Sequence, residues 1–383
     1  MMDKLIKNGL IFDAVHKEPY TADILIQDGK FAAIGEKLSA ENAEVIDASG
    51  KHIYPGFVDA HSHIGLDDTG IGFEGQDYNE LNDILTPQLR AIDGFYPQDP
   101  ALKEAALAGV TTVCTGPGSS NVVGGVFMAV KTVGDRVDKM VINDHVAMKC
   151  AFGENPKRCY KDKNNYCRMS TAAKLRELIL KTLEYDRLKQ AAGDDPTKQP
   201  KFDFKLESML PVVHKEIPLK AHAHRADDIF TAIRIAKEFD LKLTLEHVTE
   251  GHLIVDDLIE EDYPMAVGPS MSNASKFELR NKTFATPGIL AKAGGRVSII
   301  TDAPVTPEQY LPLCAELAIK SGMEEFAALQ AITINAARHI GVEDRVGSIE
   351  EGKDADLVIM PGTCFDIALA PDLVLINGEK VDE

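Results

Sequence analysis

Long apolar runs are absent from this chain. No stretch approaches the ~20 consecutive apolar residues that a helix needs to cross a bilayer. The first residues, Met1 to Lys4, are not followed by the apolar core of a secretory signal. The 6 cysteines are scattered, and the spacing of the nearest pair, Cys159 and Cys167, fits no zinc knuckle. We therefore expect a reduced, cytoplasmic protein without a disulfide framework.

An excess of positive charge is also missing. The chain has 41 Lys and Arg against 60 Asp and Glu, for a formal net charge of −19. Nucleic acids and anionic lipid surfaces both favour basic partners. We therefore expect no nucleic-acid and no membrane partner. The predicted partners are a small-molecule substrate and further copies of the same chain.

The two ends of the chain have the pattern of short strands and hairpins. Asp28-Gly29 separates two alternating runs near the N-terminus, and Asn377-Gly378 has the same character near the C-terminus. We predict that residues 1–54 and 345–383 form one small β-sandwich domain, which requires the two termini to lie close together.

Between these ends, residues 55–344 repeat the order strand, loop, helix. The predicted strands are the run from Phe57, Val110–Cys114, Val126–Val133, Val141–Ala151, Leu219–Ala221, Leu241–Leu245, Met265–Val267 and Val297–Thr301. This count predicts an α/β fold with a (β/α)₈ TIM-like barrel. The long segment Gly65–Tyr96 has no clear element, which is typical of a lid or a binding loop.

A His-x-His motif follows the first predicted barrel strand. Residues at i and i+2 of a strand share one face, so His61 and His63 point the same way. Neutral imidazole is a good ligand for zinc, iron, nickel or copper. Alone the motif is a weak signal, because two polar histidines also suit a solvated strand face.

Three further residues of ligand type end apolar strand candidates. His222, His247 and Asp302 each stand at the carboxyl end of such a run. In a barrel of this type, that rim gathers the catalytic residues. Each alone has a plain alternative, namely a hydrogen-bonded core imidazole or a helix N-cap. Together with His61 and His63 they predict one shared metal centre.

A bridge between two ions requires an anion, and the chain offers two candidates in and just after the fourth predicted strand. Glu154 is a carboxylate in a Gly-Glu-Asn-Pro turn and needs no modification. Lys149 lies within the strand and becomes anionic only if carbon dioxide carboxylates its amine. The plain alternatives are a helix cap for Glu154 and a surface position for Lys149. We favour Glu154 as the ligand and keep Lys149 as the alternative.

Two residues beside His222 are predicted to bind the substrate. His224 shares the strand face of His222, unless it opens the following helix. Arg225 can meet a substrate carboxylate with two hydrogen bonds, although an arginine at a helix start is often solvated. The glycine-rich segment Gly116–Gly125 is not a P-loop, since no Gly-Lys-Ser/Thr ends it.

These residues together resemble the amidohydrolase superfamily. The segments that carry the resemblance are Pro55–His63, His222, Glu246-His247, Asp302 and the tail Gly347–Val358. Within the superfamily, the chain is most similar to the imidazolonepropionase-related group that includes prolidase-like dipeptidases. The resemblance implies a metal-bearing (β/α)₈ barrel with a small β-sandwich built from both termini.

The resemblance also implies roles for the ligands. His61 and His63 would hold a buried ion together with Asp302. His222 and His247 would hold a second ion, or one of them would orient the substrate. Dipeptidase-like relatives carry a carboxylated lysine and adenine-deaminase-like relatives a glutamate bridge, so the choice between Lys149 and Glu154 stays open. We expect one or two divalent ions per chain, with zinc as the expected metal.

The predicted activity is metal-dependent hydrolysis of a C–N bond in an amide, cyclic amide or amidine. Metal-generated hydroxide attacks the carbon, whose oxygen or nitrogen is polarised by a metal or by His247. Asp302 acts as general base and then as general acid. The alternatives are a dipeptidase-like hydrolase of N-acyl amino acids or dipeptides and a deaminase that releases ammonia from a heterocycle. A metal-free binding or scaffold protein is the alternative of another class.

Overall fold

The computed structural model describes residues 2–69 and 72–382. The N-terminal part is a set of short strands whose buried positions are mostly Ile, Leu and Phe. These strands are β1 Lys4–Ile11, β2 Tyr20–Gln27, β3 Lys30–Gly35, β4 Glu44–Asp47 and β5 His52–Pro55. β1 lies at the centre, antiparallel to β2 and parallel to both β4 and β5.

The middle of the chain forms an 8-stranded sheet whose strands lie in sequence order. The strands are β6 Phe57–Ser62, β7 Val110–Thr115, β8 Val123–Lys131, β9 Val141–Ala151, β10 Leu219–Ala223, β11 Leu243–His247, β12 Met265–Val267 and β13 Val297–Ile299. Most of their residues are buried, as expected for strands that lie between a barrel interior and surrounding helices.

Backbone hydrogen bonds join the carboxyl ends of the first and last barrel strands. The amide of Asp302 donates to the carbonyl of His61 at 3.2 Å, and the amide of His63 donates to the carbonyl of Ala303 at 2.8 Å. The sheet is therefore a nearly closed barrel, and the predicted TIM-like fold is confirmed. Because these bonds lie at the candidate ligand residues, the closure also holds the His-x-His motif beside Asp302.

One barrel strand runs in the opposite direction to the others. β8 is antiparallel to both β7 and β9, whereas the other neighbouring pairs are parallel. The link from β7 to β8 is a short glycine-rich segment without a helix. Such a link can only return the chain antiparallel, since a parallel neighbour requires a long crossover.

Helices alternate with the later barrel strands and pack outside them. The described helices are α1 Pro100–Leu107, α2 Val137–Met140, α3 Glu154–Cys159, α4 Arg168–Ala192, α5 Phe204–Val213, α6 Ala226–Glu238, α7 Val255–Glu261, α8 Thr286–Lys292, α9 Leu311–Lys320, α10 Glu325–Ala331 and α11 Ile334–His339. None of the helices in the described part of the chain is long and apolar enough to cross a membrane.

The break between α10 and α11 differs from the single helix that the periodicity over 324–337 suggests. At this break the carbonyl of Ile332 accepts a hydrogen bond from the amide of Val58 at 2.8 Å. This carbonyl therefore bonds the backbone of β6 instead of continuing the helix. The periodicity of one segment does not reveal such a contact.

The C-terminal strands complete the first sheet. They are β14 Leu357–Met360, β15 Leu373–Ile376 and β16 Glu379–Lys380, and β14 pairs antiparallel with β5. Both ends of the chain therefore share one sheet, and Phe31 and Leu357 lie in one hydrophobic cluster beneath it. The division at residues 54/55 and 344/345 stays a prediction.

The long segment before α1 lies across the mouth of the barrel. The amide of Gly118 donates to the carbonyl of Tyr78 at 2.7 Å, and the Tyr78 ring lies 5.4 Å from the His63 ring. Two 3₁₀ turns, Gly72–Gly75 and Ala91–Asp93, are its regular elements within the described residues, which omit 70 and 71. Its role as a lid or binding loop stays a prediction.

Candidate metal centre and active site

The two imidazoles at the end of β6 are each fixed through one ring nitrogen. His61 Nδ1 lies 2.8 Å from Glu246 Oε2, and His63 Nδ1 lies 2.7 Å from the carbonyl oxygen of Gly116. The other nitrogens face Asp302, whose Oδ1 is 3.7 Å from His61 Nε2 and 3.3 Å from His63 Nε2. Thus the three residues converge as the strand pattern predicts.

A buried carboxylate beneath the site orients His61. Glu246 Oε2 also lies 2.9 Å from Lys220 Nζ, and Glu246 Oε1 accepts hydrogen bonds from Thr244 Oγ1 at 2.7 Å and His339 Nε2 at 2.9 Å. Burial opposes ionisation of Glu246, but Lys220 and His339 outweigh it and hold the pKa of this carboxyl well below its usual value. The result is an ionised acceptor that fixes the ring of His61.

A second group of imidazoles lies at the ends of β10 and β11. One ring nitrogen from each of His222, His224 and His247 lies within 4.8 Å of the others. Both ring nitrogens of His222 and the Nε2 of His247 are buried without a hydrogen-bond partner among the described residues. Buried polar atoms are normally paired, so these nitrogens indicate a missing ligand.

The protonation of these rings suits metal binding. Burial lowers the pKa of His222 and His224 well below the usual value, and it lowers the pKa of His247 to about 3. The rings are therefore neutral at pH 7, which is the form that binds a divalent ion. A set of imidazoles and one carboxylate is also the donor set that zinc and its neighbours prefer. The residues present thus fit a divalent cation.

Two of the site residues have a left-handed backbone, which non-glycine residues rarely adopt. His247 has a φ of 73° and Asp302 a φ of 53°. Each such residue costs on the order of 1–3 kcal/mol, and such strain concentrates at functional sites. Nothing in the sequence signals it, because β-strand patterning predicts an extended backbone for both.

The structure brings Lys149, and not Glu154, to the imidazoles. Lys149 is fully buried on β9, and its Nζ lies 2.9 Å from His61 Nε2. Burial lowers the pKa of Lys149 to about 8. Glu154 starts α3, where its Oε2 accepts a hydrogen bond from the backbone amide of Glu278 at 2.8 Å. The reason is positional, because Lys149 precedes the end of β9 whereas Glu154 follows it and has turned into the helix.

The two predicted substrate-binding residues have different surroundings. His224 is buried in the second imidazole group, as described above. The Arg225 guanidinium donates to Asp227 from Nε at 2.9 Å and from Nη2 at 2.8 Å. Both of these donors are thus already paired with a carboxylate of the same chain. The structure does not bring Arg225 to the imidazoles.

Some residues of the site were not among those that sequence reasoning selected. Glu278 is buried, and its Oε1 lies 3.8 Å from His224 Nε2 and 4.0 Å from His222 Nε2. Lys276 Nζ lies 3.0 Å from the same Glu278 oxygen. The only available signal was their position after the seventh barrel strand, and that signal is shared by every residue of the loop.

The fold and the site define a class of protein. Imidazoles, a carboxylate and a buried lysine converge at the carboxyl ends of barrel strands, where TIM-barrel enzymes carry their active sites. The profile of the Amidohydrolase family matches residues 52–381, so the chain belongs to this family. The superfamily resemblance inferred from the motifs is therefore confirmed.

Similar proteins cover most of the chain. A crystal structure of an amidohydrolase from Thermotoga maritima MSB8 superposes with a TM-score of 0.96 at 41% identity, covering 99% of both chains. Amidohydrolase tasK of Hapsidospora irregularis is 27% identical over 94% of this chain, which spans only 40% of the tasK protein. A dihydroorotase of Elusimicrobium minutum (strain Pei191) is 24% identical over 94% of this chain and 88% of its own length.

Proposed function

We propose that the protein is a metal-dependent hydrolase that cleaves an amide or cyclic amide bond of a small molecule. The observation that carries this proposal is the set of buried imidazole nitrogens of His222 and His247 that have no partner among the described residues. They lie beside the group formed by His61, His63 and Asp302, since His247 clusters with His61 and Asp302. A purely structural cluster would pair these nitrogens with each other or with the backbone.

We assign the ligands as two groups that meet at Lys149. His61, His63 and Asp302 would hold one divalent ion, and His222 and His247 would hold the other. Lys149 lies against His61 and would supply the anionic ligand shared by the two groups once carbon dioxide has carboxylated its amine. Zinc is the metal that we propose. When bound, a divalent ion lowers the pKa of a water molecule toward ~7 and polarises the substrate carbonyl.

Asp302 is the residue that we assign to proton transfer. Burial opposes its ionisation, but His247 and the imidazoles of the His-x-His motif outweigh this and hold its pKa well below the usual value. The carboxylate is therefore available to accept a proton from the attacking water and to return it to the leaving nitrogen. His247, held by the Gly268 carbonyl at 2.8 Å from Nδ1, presents its Nε2 to the same space and polarises the substrate oxygen.

The whole-chain relative named dihydroorotase points first to cyclic amides, since dihydroorotate is one. N-acyl amino acids and dipeptides form the second group of C–N substrates, and amidine-type heterocycles form the third.

The test is a screen of the zinc-loaded protein with these three groups in parallel. Hydrolysis of cyclic or linear amides without ammonia is the expected result. Release of ammonia from a heterocycle would instead establish a deaminase. A carefully purified protein with metal content near zero, and with no turnover after zinc is added, would favour the metal-free scaffold and contradict the proposal.

A further inference from the structure

We propose that His224 is a ligand of the second ion, which is then held by three imidazoles, those of His222, His224 and His247. This inference rests on the proposed function, because it requires that the site binds metal. One ring nitrogen from each of the three residues lies within 4.8 Å of the other two. Ligand nitrogens about 2.0–2.1 Å from one zinc ion are at most ~4 Å apart, so shifts of less than an ångström complete the site.

The placement of His224 repeats that of a residue already assigned as a ligand. His61 is the last residue but one of β6, and His63 is the first residue beyond it. On β10, His222 is likewise the last residue but one, and His224 is the first beyond the strand. Each His-x-His motif therefore presents two imidazoles from one strand end. Each motif would supply two ligands to one of the two ions.

The ring of His224 is also fixed in the manner of a metal ligand. Its Nδ1 lies 2.8 Å from Thr249 Oγ1, which leaves Nε2 to face the other two rings. His63 and His247 are held through Nδ1 in the same way, by the carbonyls of Gly116 and Gly268. Histidine ligands of metals commonly engage their second ring nitrogen in such a bond, which fixes the ring orientation.

A buried carboxylate and a lysine ammonium lie beside the second imidazole group. Glu278 Oε1 lies 3.8 Å from His224 Nε2 and 4.0 Å from His222 Nε2, and it is buried. Lys276 places its ammonium 3.0 Å from this carboxylate oxygen and 3.4 Å from His224 Nε2. The latter contact is a hydrogen bond longer than the usual 2.7–3.2 Å, and it would give way when His224 Nε2 binds the ion.

The experiment measures metal affinity of the full chain, made metal-free and titrated with Co²⁺ against a chromophoric chelator. Wild type is expected to bind two ions. In His224→Asn the first ion stays tight, whereas the second is held at least ~10-fold more weakly and its visible absorption changes. The matched control is His252→Asn, since His252 Nδ1 also bonds a threonine hydroxyl, that of Thr286 at 2.9 Å, but lies outside the cluster. This control is expected to keep both affinities.

A second variant keeps the test decisive if His224→Asn does not fold. Thr249→Val removes the hydroxyl that orients His224 and is expected to weaken the second ion by ~10-fold. Unchanged metal affinities in both variants, with only the KM for substrate altered, would show that His224 is a substrate contact and overturn the inference. A wild-type protein that binds no ion at all would overturn the proposed function as well, so the two failures are distinguishable.

Discussion

Lys149 and His61 are 88 residues apart in the sequence, yet the Lys149 Nζ lies 2.9 Å from the His61 Nε2. Both side chains are fully buried. A buried ammonium beside a neutral imidazole is poorly solvated, and the pKa of Lys149 is lowered to about 8 accordingly. A larger fraction of this amine is thus neutral near pH 7 than for an ordinary lysine, and the neutral form is the one that reacts with carbon dioxide.

The first prediction separates the two candidate bridging residues by metal content. Lys149→Met should lose most of the bound metal, because the anionic bridge cannot form. Glu154→Gln should keep it, since the amide oxygen of the introduced side chain still accepts the hydrogen bond from the Glu278 amide. Elemental analysis of the purified variants measures both. The control is Lys380→Met, which removes an exposed partner of Glu44 far from the site.

Bicarbonate adds a second arm to this experiment. Metal loading of the metal-free wild type should be faster with dissolved carbon dioxide than without it, and Lys149→Met should show no such acceleration. If Glu154→Gln contained no metal and Lys149→Met kept its full metal content, Glu154 and not Lys149 would be the bridging residue.

The second prediction concerns the proton carrier. Asp302→Asn should keep most of its metal, because an amide oxygen remains at that position. It should nevertheless lose ~10²–10⁴-fold in kcat, since the amide cannot accept the proton from water. Asp240→Asn is the matched control, because its carboxylate is 88% exposed. Steady-state rates together with metal content measure the effect, and an Asp302→Asn protein of nearly normal turnover would exclude the proposed base.

The third prediction is a loss of stability in acid for the metal-free protein. The pKa of His247 is about 3 in the folded state, because of burial, against 6.5 for an unburied histidine. Below pH 6.5 His247 is protonated in the unfolded chain but stays neutral in the folded chain. The free energy of unfolding therefore falls as the pH decreases. At pH 5 this one residue costs about 2 kcal/mol.

Urea denaturation of the metal-free protein at pH 7.5 and pH 5 measures this loss. His247→Gln should reduce the difference between the two pH values by about 2 kcal/mol, because the titrating ring is gone. If His247→Gln retained the full pH dependence, the burial argument would be wrong for this ring.

The fourth prediction concerns the contact between the barrel and the terminal sheet. Lys131 at the end of β8 is buried and forms ion pairs with Asp354, at 3.2 Å, and with Asp356. Lys131→Met leaves these buried carboxylates without that cation and should lower the free energy of unfolding by about 3–5 kcal/mol. The exposed pair of Lys380 and Glu44 provides the control, since Lys380→Met should cost at most about 1 kcal/mol.

The strand-end residues could be predicted because their signal is local. A period of two places His61 and His63 on one face, and apolar runs that end in His222, His247 or Asp302 mark the rim of a barrel. Hairpin turns near both ends likewise predicted strands there, and these strands share one sheet.

The sequence by itself determined the strand ends and the kinds of ligand that they carry. Only the tertiary structure decided which side chains meet: Lys149 rather than Glu154 beside His61, Glu278 beside His224, and β8 running antiparallel. The physical reason is that periodicity describes each segment alone. Convergence depends on how the strands are staggered and closed, here through the hydrogen bond from Asp302 to His61, and on the left-handed backbone of His247 and Asp302.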